Sequence, residues 1–217
     1  GGVSGAEWRP RRGEGCRPGV VATLAGEVRS AHGAQLLDYS ADPSHNRSVF
    51  TIAGTAEALE TAVLMLVAQA IRLIDLRTHR GEHPRLGAVD VVPFIPLEGS
   101  TMEDCIALAR ALGDRVGSQL GIPVYLYERA ATTPTRENLA DVRRGEFEGL
   151  RDELGKNPAR KPDFGPEKIH PTAGAIAIGA RPFLVASTVY LGPAANLQIA
   201  KNIAQPVPGS AGGAKYV

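Results

Sequence analysis

One short stretch, Arg80–Pro96, carries the residues best suited to proton-transfer chemistry. It begins with charged residues and turn formers and ends as an apolar strand interrupted by one carboxylate, Asp90. Gly81 and Pro84 end the preceding helix, because glycine frees the backbone and proline removes a donor and fixes φ. His83 stands between these two residues, on a turn between a long helix and a core strand. An imidazole held there, with an ordinary pKa of about 6.5, predicts a general base.

The residue pattern alone leaves other interpretations of this stretch open. His83 could instead cap a backbone carbonyl. Asp90 could orient the imidazole, as carboxylates do for other histidine bases, or it could be a satisfied carboxylate at a strand edge. His79 lies four residues before His83, so one candidate function is a metal-dependent hydrolase that uses both histidines and Asp90. Gly81 and Pro84 disrupt the helical face that such a ligand spacing needs, and we therefore predict no metal.

Two arginines and one loop are further candidates. Arg47 and Arg85 could each bind a carboxylate with both arms of the guanidinium, or form surface ion pairs worth little. The glycine-bounded segment Gly165–Gly174 carries Lys168 and His170. It could bring backbone amides to a flat heterocycle, with His170 as a second proton carrier, or it could be a plain connection.

Composition excludes several classes of function. The 217 residues carry a net charge of +1, with 43% hydrophobic and 22% charged residues, as in an ordinary globular domain. No basic run is interleaved with aromatics, which argues against nucleic acid. Cys16 and Cys105 are far apart and lack C-x-x-C spacing, so a disulfide framework is not expected. No apolar run reaches bilayer length and no secretory signal is recognisable, so we expect a cytoplasmic protein.

Hydrophobic periodicity predicts the elements that would position these residues. Strands alternate with helices and one early hairpin, which indicates an α/β (α+β) fold. The order over Pro18–Phe94 is that of a ferredoxin-like βαββαβ sandwich without its first strand, with a mixed sheet and helices on one face. The predicted helices are Pro18–Ala31, Thr55–Thr78, Ser100–Leu120 with a Ser100/Glu103 capping box, an excursion within Thr133–Asn157, and Asn196–Ala204. The predicted inward face of Thr55–Thr78 consists of Leu59, Val63, Leu66, Ala70 and Ile74. The predicted strands are Gln35–Tyr39, Ser48–Ala53, Ala88–Phe94, Pro123–Tyr127, Gly174–Ile178 and Pro182–Tyr190, the last two hinged by Gly179.

The ends of the chain differ from its middle. Gly1–Arg12 has no hydrophobic period and is predicted to be disordered. Residues 13–204 form the predicted domain. Gln205–Val217 is rich in proline and glycine, and is predicted to be a tail or the start of a second subdomain.

Five segments in order resemble the glutamate formiminotransferases, the folate enzymes of histidine breakdown. They are Leu36–Thr51 (LLDYSADPSHNRSVFT), Gly81–Pro96 (GEHPRLGAVDVVPFIP), Pro123–Tyr127 (PVYLY), Arg143–Leu150 (RRGEFEGL) and the PDFGP, HPTAGA and GARPFL motifs of Pro162–Leu184. The matches span roughly Gly13 to Ala204, the extent of one domain. The resemblance is to the first of the family's two α/β subdomains, between which the substrates bind.

The resemblance implies transfer of a formimino group from N-formimino-L-glutamate to tetrahydrofolate, giving 5-formiminotetrahydrofolate and L-glutamate. It implies that His83 is the catalytic base. Asp90 is then the candidate to orient this imidazole, and Arg47 and Arg85 are the candidates to bind carboxylates, because both substrates carry glutamate carboxylates. Tetrahydrofolate is the implied co-substrate, and a homodimer or a separate second-subdomain chain the implied partner. The implied folate-binding residues are Gly165, Pro166, Glu167, Lys168, Ile169, His170, Pro171, Thr172, Ala173 and Gly174.

The sequence also departs from the family pattern. The usual first strand is missing, Arg129 stands where an acid is expected, and Ser187 and Thr188 replace an aromatic–Asn pair. A non-catalytic remnant that binds folate or a partner is therefore the alternative function. The residues leave open whether this short chain turns over alone and whether formyl replaces formimino.

Overall fold

The structure, a computed structural model, describes residues 2–8, 18–42, 47–78 and 85–183. The strands are β1 (Gly2–Trp8), β2 (Ala34–Asp42), β3 (Arg47–Gly54), β4 (Val89–Pro96), β5 (Val124–Glu128) and β6 (Ile176–Ala180). The helices are α1 (Pro18–Ser30), α2 (Ala56–Leu73), α3 (Met102–Leu120), α4 (Leu139–Val142) and α5 (Glu146–Glu153), with 3-10 turns at Leu76–Thr78, Pro134–Arg136 and Pro158–Arg160.

The six strands form one mixed sheet in the order β2-β3-β1-β4-β6-β5. The first four pair antiparallel, in the strand order of a ferredoxin-like unit, and β6 and β5 add to it in parallel. Helices α1, α2 and α3 lie side by side over the sheet, α1 and α2 beside the antiparallel strands and α3 beside the parallel ones. The predicted α/β class and ferredoxin-like sandwich are confirmed.

The prediction that Gly1–Arg12 is disordered does not hold for Gly2–Trp8. This segment is β1, which pairs with β3 on one side and β4 on the other, and so supplies the strand that we expected to be missing. Its residues have weak strand propensity. Pairing on both sides nevertheless satisfies the backbone groups of β1 and of its two neighbours, and that requirement outweighs local preference.

Tertiary contacts also move two predicted helix boundaries. The second helix ends at Leu73 instead of Thr78, because Ile74 is extended and the Leu76 amide donates to the Thr172 carbonyl at 2.8 Å. The third helix begins with a capping box formed by Thr101 and Asp104, one residue beyond the predicted pair of Ser100 and Glu103. The inward residues predicted for α2, including Leu59, are buried.

The last predicted strands differ as well. β6 runs through Gly179 without a hinge. Pro182 and Phe183 are not in a strand. Residues 184–190, the predicted helix Asn196–Ala204 and the C-terminal tail lie outside the described residues. None of the helices in the described part of the chain has the length and hydropathy needed to cross a bilayer.

Candidate functional site

Two segments that the sequence singled out meet backbone to backbone at the start of β4. A Cβ on Gly87 would lie 1.9 Å from the Ala175 carbonyl oxygen, so a larger residue cannot occupy this position. Gly174, at φ +74°, is similarly restricted, since a Cβ there would lie 2.2 Å from the Leu86 carbonyl oxygen. The Ala88 amide donates to the Ala173 carbonyl at 2.9 Å. We call residues 85–96, the described part of the family motif Gly81–Pro96, the signature strand. It and the predicted folate loop Gly165–Gly174 are therefore fixed to each other.

Asp90 anchors a third segment at the same place. Its side chain is fully buried, and Oδ1 accepts from the Leu86 amide at 2.7 Å. Oδ2 pairs at 2.5 Å with Nη2 of Arg143, which begins the motif Arg143–Leu150 that leads into α5. The carboxylate thus fixes the backbone at Leu86, three residues after His83 in the sequence. Whether it also orients that imidazole stays a prediction.

Arg85 makes a second link to the same motif. Its guanidinium is 3% exposed, with Nη2 2.7 Å from a Glu148 oxygen and Nη1 3.5 Å from a Glu146 oxygen. Both glutamates lie in the first turn of α5, where the helix dipole favours negative charge. A buried guanidinium needs such partners. Its predicted role toward a substrate carboxylate stays a prediction, and any such carboxylate would share the guanidinium with Glu148.

Arg85, Glu146 and Glu148 line a cavity of about 840 Å³. This volume lies within the range usual for small-molecule sites. Among the described residues, four cationic and two anionic side chains line it, so positive charge is in excess. The described lining is Leu76, Arg77, Arg85, Glu146, Phe147, Glu148, Arg151, Lys168, Ile169 and Pro171.

Three residues of the predicted folate loop contribute to this lining, but His170 does not. The His170 Nδ1 atom accepts from the Ala173 amide at 3.0 Å, which requires the neutral tautomer that carries its proton on Nε2. Burial lowers the pKa of His170, which also favours the neutral form. The geometry therefore gives His170 a part in holding the turn that ends at Gly174.

Of the remaining predicted site residues, Arg47 lies in the sheet and His83 lies outside the described residues. Arg47 begins β3, and the neighbouring Ser48 pairs with Trp8, the same β1 residue that pairs with Val89 of β4. Adjacent strands lie about 4.8 Å apart, so the backbone of Ser48 is roughly 10 Å from that of Val89, at the same end of the sheet. His83 lies outside the described residues, in the stretch between Thr78 and Arg85.

The residues of the site that sequence reasoning missed include Arg143, Glu146 and Glu148. These three belong to the segment RRGEFEGL, which carried the family resemblance but was given no chemical role. One feature of the sequence could have indicated them. In this mostly polar segment, Gly145 is followed by Glu146, the buried Phe147 and Glu148, so that two carboxylates flank one apolar side chain. Only the fold shows that this segment faces the signature strand.

The metal hypothesis stays a prediction. Among the described residues, no three His, Cys, Asp or Glu side chains are grouped to hold an ion. Two of the three proposed ligands, His79 and His83, lie outside that part of the chain. Metal analysis of the purified protein is the direct test.

A ferredoxin-like α/β unit with a charged, ligand-sized cavity at one end of its sheet is the architecture of a small-molecule-binding subdomain. The particular family follows from comparison with known proteins. The model of the formiminotransferase domain, N-terminal subdomain, matches residues 7–181. The chain belongs to this family, as its motifs predicted.

Curated relatives agree with this assignment. A glutamate formimidoyltransferase of Streptococcus pyogenes serotype M1 is 46% identical over 207 residues, covering 95% of this chain and 69% of the relative. One from Thermoplasma acidophilum is 42% identical over 217 residues, covering 99% and 71%. The formimidoyltransferase-cyclodeaminase of Mus musculus is 43% identical over 182 residues, covering 84% of this chain but 34% of the relative.

Proposed function

We propose that this chain is a one-carbon transferase that moves the formimino group of N-formimino-L-glutamate to tetrahydrofolate. The names of its relatives support the reaction class. The observation that carries the proposal is the convergence of three family segments on one cavity: the signature strand at Arg85, the motif at Glu146 and Glu148, and the loop at Lys168.

In the proposed reaction, N5 of tetrahydrofolate attacks the formimino carbon and forms a C–N bond. The N5 proton passes to a base, for which we propose His83. The bond between the formimino carbon and the glutamate nitrogen then breaks, and the leaving amine takes up a proton. One imidazole can accept the first proton and supply the second, an assistance that contributes typically about 10²–10⁴-fold.

The cavity charges suit these substrates. Both carry glutamate carboxylates, and Arg77, Arg151 and Lys168 place positive charge along the wall. We propose that the loop Gly165–Gly174 contacts folate through Lys168, Ile169 and Pro171, which line the cavity. We propose that Arg47 and Arg85 recognise carboxylates; a raised KM for the donor in Arg47→Lys would support the first assignment, and an unchanged KM would refute it.

The test is glutamate release from N-formimino-L-glutamate and tetrahydrofolate by the wild-type chain, His83→Asn and His32→Asn. His32 is an exposed histidine in the turn after α1 and serves as the matched control. We expect release by the wild type and His32→Asn, and loss of release in His83→Asn. Full activity in His83→Asn would refute the assignment of the base.

The same assay tests the partner. If the wild type releases glutamate only after a second-subdomain chain is added, the transferase is assembled from two parts. Tetrahydrofolate binding without release under either condition would contradict turnover and favour the non-catalytic alternative.

A further inference from the structure

The two glutamates on the cavity wall are held in different ways. Glu148 is engaged with the buried Arg85 guanidinium at 2.7 Å, a charge-assisted hydrogen bond that Arg85 needs. The Glu146 carboxylate lies 3.5 Å from the same guanidinium, at the outer limit of hydrogen bonding. Arg85 therefore leaves much of the accepting capacity of Glu146 for another donor.

The backbone at Glu146 is also unusual. Its φ is +56°, in the left-handed region that non-glycine residues rarely adopt. Phe147 is buried beside it and fixes the start of α5. A strained conformation held by surrounding packing directs this carboxylate to the cavity edge, where its side chain is 37% exposed.

The chemistry of the proposed donor gives this carboxylate a partner. A formimino group on nitrogen is a formamidine, which is protonated near neutral pH and spreads its positive charge over a planar N–C–N unit. That unit has the donor geometry of half a guanidinium, the group that Glu146 and Glu148 already face in Arg85. A formyl group has the same shape but is neutral and presents an accepting oxygen.

We propose that Glu146 determines donor specificity by binding the formamidinium group, while the cationic part of the cavity wall binds the glutamate carboxylates. This inference rests on the proposed function, since it names a residue for that same site. It makes Glu146 the residue that distinguishes a formimino from a formyl donor, and leaves Glu148 the separate task of holding Arg85.

The experiment is calorimetric titration of the full chain with N-formimino-L-glutamate, N-formyl-L-glutamate and tetrahydrofolate. Three proteins are compared: wild type, Glu146→Gln and the matched control Glu148→Gln, each checked for folding by circular dichroism. We expect the wild type to bind the formimino donor at least about tenfold more tightly than the formyl donor, as a charge-assisted pair allows. In Glu146→Gln this ratio should fall to about one or below, because a Gln amide can donate to the formyl oxygen.

The outcomes separate the two proposals. If the wild type binds neither donor, the proposed donor site and the role of Glu146 both fail. If it binds them and Glu146→Gln keeps the wild-type ratio, only the role of Glu146 is overturned. Loss of the ratio in Glu148→Gln instead, or weaker binding of tetrahydrofolate alone in Glu146→Gln, would also overturn it. Equal weakening of both donors in Glu148→Gln is the expected result for a residue that holds Arg85.

Discussion

Asp90 of β4 and Asp163, in a loop beside β5, occupy closely similar settings. Each accepts a backbone amide at 2.7 Å, from Leu86 and Leu126 respectively. Each also pairs with an arginine of the segment that follows β5, Asp90 with Arg143 and Asp163 with Arg136. Both aspartates are nearly or fully inaccessible to solvent.

Their surroundings differ. The Asp163 cluster is packed among its own loops: Arg136 lies over the Tyr125 ring, whose hydroxyl donates to the Arg160 carbonyl. Burial raises the pKa of Tyr125 to about 12, so that hydroxyl stays protonated. Asp90 instead fixes a backbone that continues into the cavity wall at Arg85. The same ion pair therefore has two different consequences, and only the adjacent cavity marks one as part of a site.

The largest effect on the cavity side should come from Gly87→Ala. The new Cβ would meet the Ala175 carbonyl oxygen at 1.9 Å, so the signature strand and the folate loop must separate. We expect a loss of more than about 4 kcal/mol in the free energy of unfolding, measured by urea denaturation. Gly26→Ala is the control, because Gly26 lies on the exposed face of α1 with open space at its Cβ. This substitution should raise the free energy of unfolding by about 0.5–1 kcal/mol.

Asp90→Asn and Asp163→Asn test the comparison directly. Each removes the charge of a buried carboxylate that compensates a largely buried arginine, and we expect each to cost about 3–5 kcal/mol in the free energy of unfolding. Among the molecules that remain folded, only Asp90→Asn should weaken binding of N-formimino-L-glutamate. Equal weakening of ligand binding by both variants would show that the two clusters are not functionally distinct.

A smaller, pH-dependent effect is expected from His170. Burial lowers its pKa in the folded protein, so the unfolded chain binds a proton first as pH falls. Stability should therefore decrease as pH falls below the unfolded pKa of about 6.5 toward the lower folded value. Melting temperatures between about pH 7.5 and about pH 5 measure this loss.

His170→Asn should reduce that dependence, because its amide oxygen can accept from the Ala173 amide without titrating. His32→Asn, in an exposed turn, should retain the wild-type slope. An unchanged slope in His170→Asn would mean that other groups cause the acid destabilisation.

The smallest effect is expected for Arg151→Gln. Arg151 is 53% exposed and pairs with the exposed Asp152, an ion pair that contributes little to stability. Unfolding should change by no more than about 0.5 kcal/mol. Because Arg151 lines the cavity, binding of the donor should weaken by about two- to fivefold at low salt and less at high salt. Binding unchanged at low salt would remove Arg151 from the carboxylate-binding wall.

Much of this architecture could be predicted from the sequence. Apolar residues that recur every 3.6 residues in a helix, or every 2 residues in a strand, indicate which face of the element is buried. The inward face of α2 at Leu59 and Val63, the β2–β3 hairpin and the strand beginning near Ala88 all followed from that pattern. It failed at Gly2–Trp8, where pairing on two sides outweighs a composition that reads as disordered. It also failed at the end of α2, where the Thr172 carbonyl draws the Leu76 amide out of the helix.

The sequence by itself determined the family, the ferredoxin-like class and the identity of the segments that carry chemistry. Only the tertiary structure decided which of those segments meet. Residues 85–90, 143–150 and 165–174 are far apart along the chain, and the contacts between Arg85 and Glu148, Asp90 and Arg143, and Gly87 and Gly174 depend on the order of strands in the sheet. Local sequence patterns predict which residues are buried and where turns occur. Ion pairs between residues far apart in the chain produce no such periodic pattern. The position of Glu146 at the cavity could therefore be identified only from the tertiary structure.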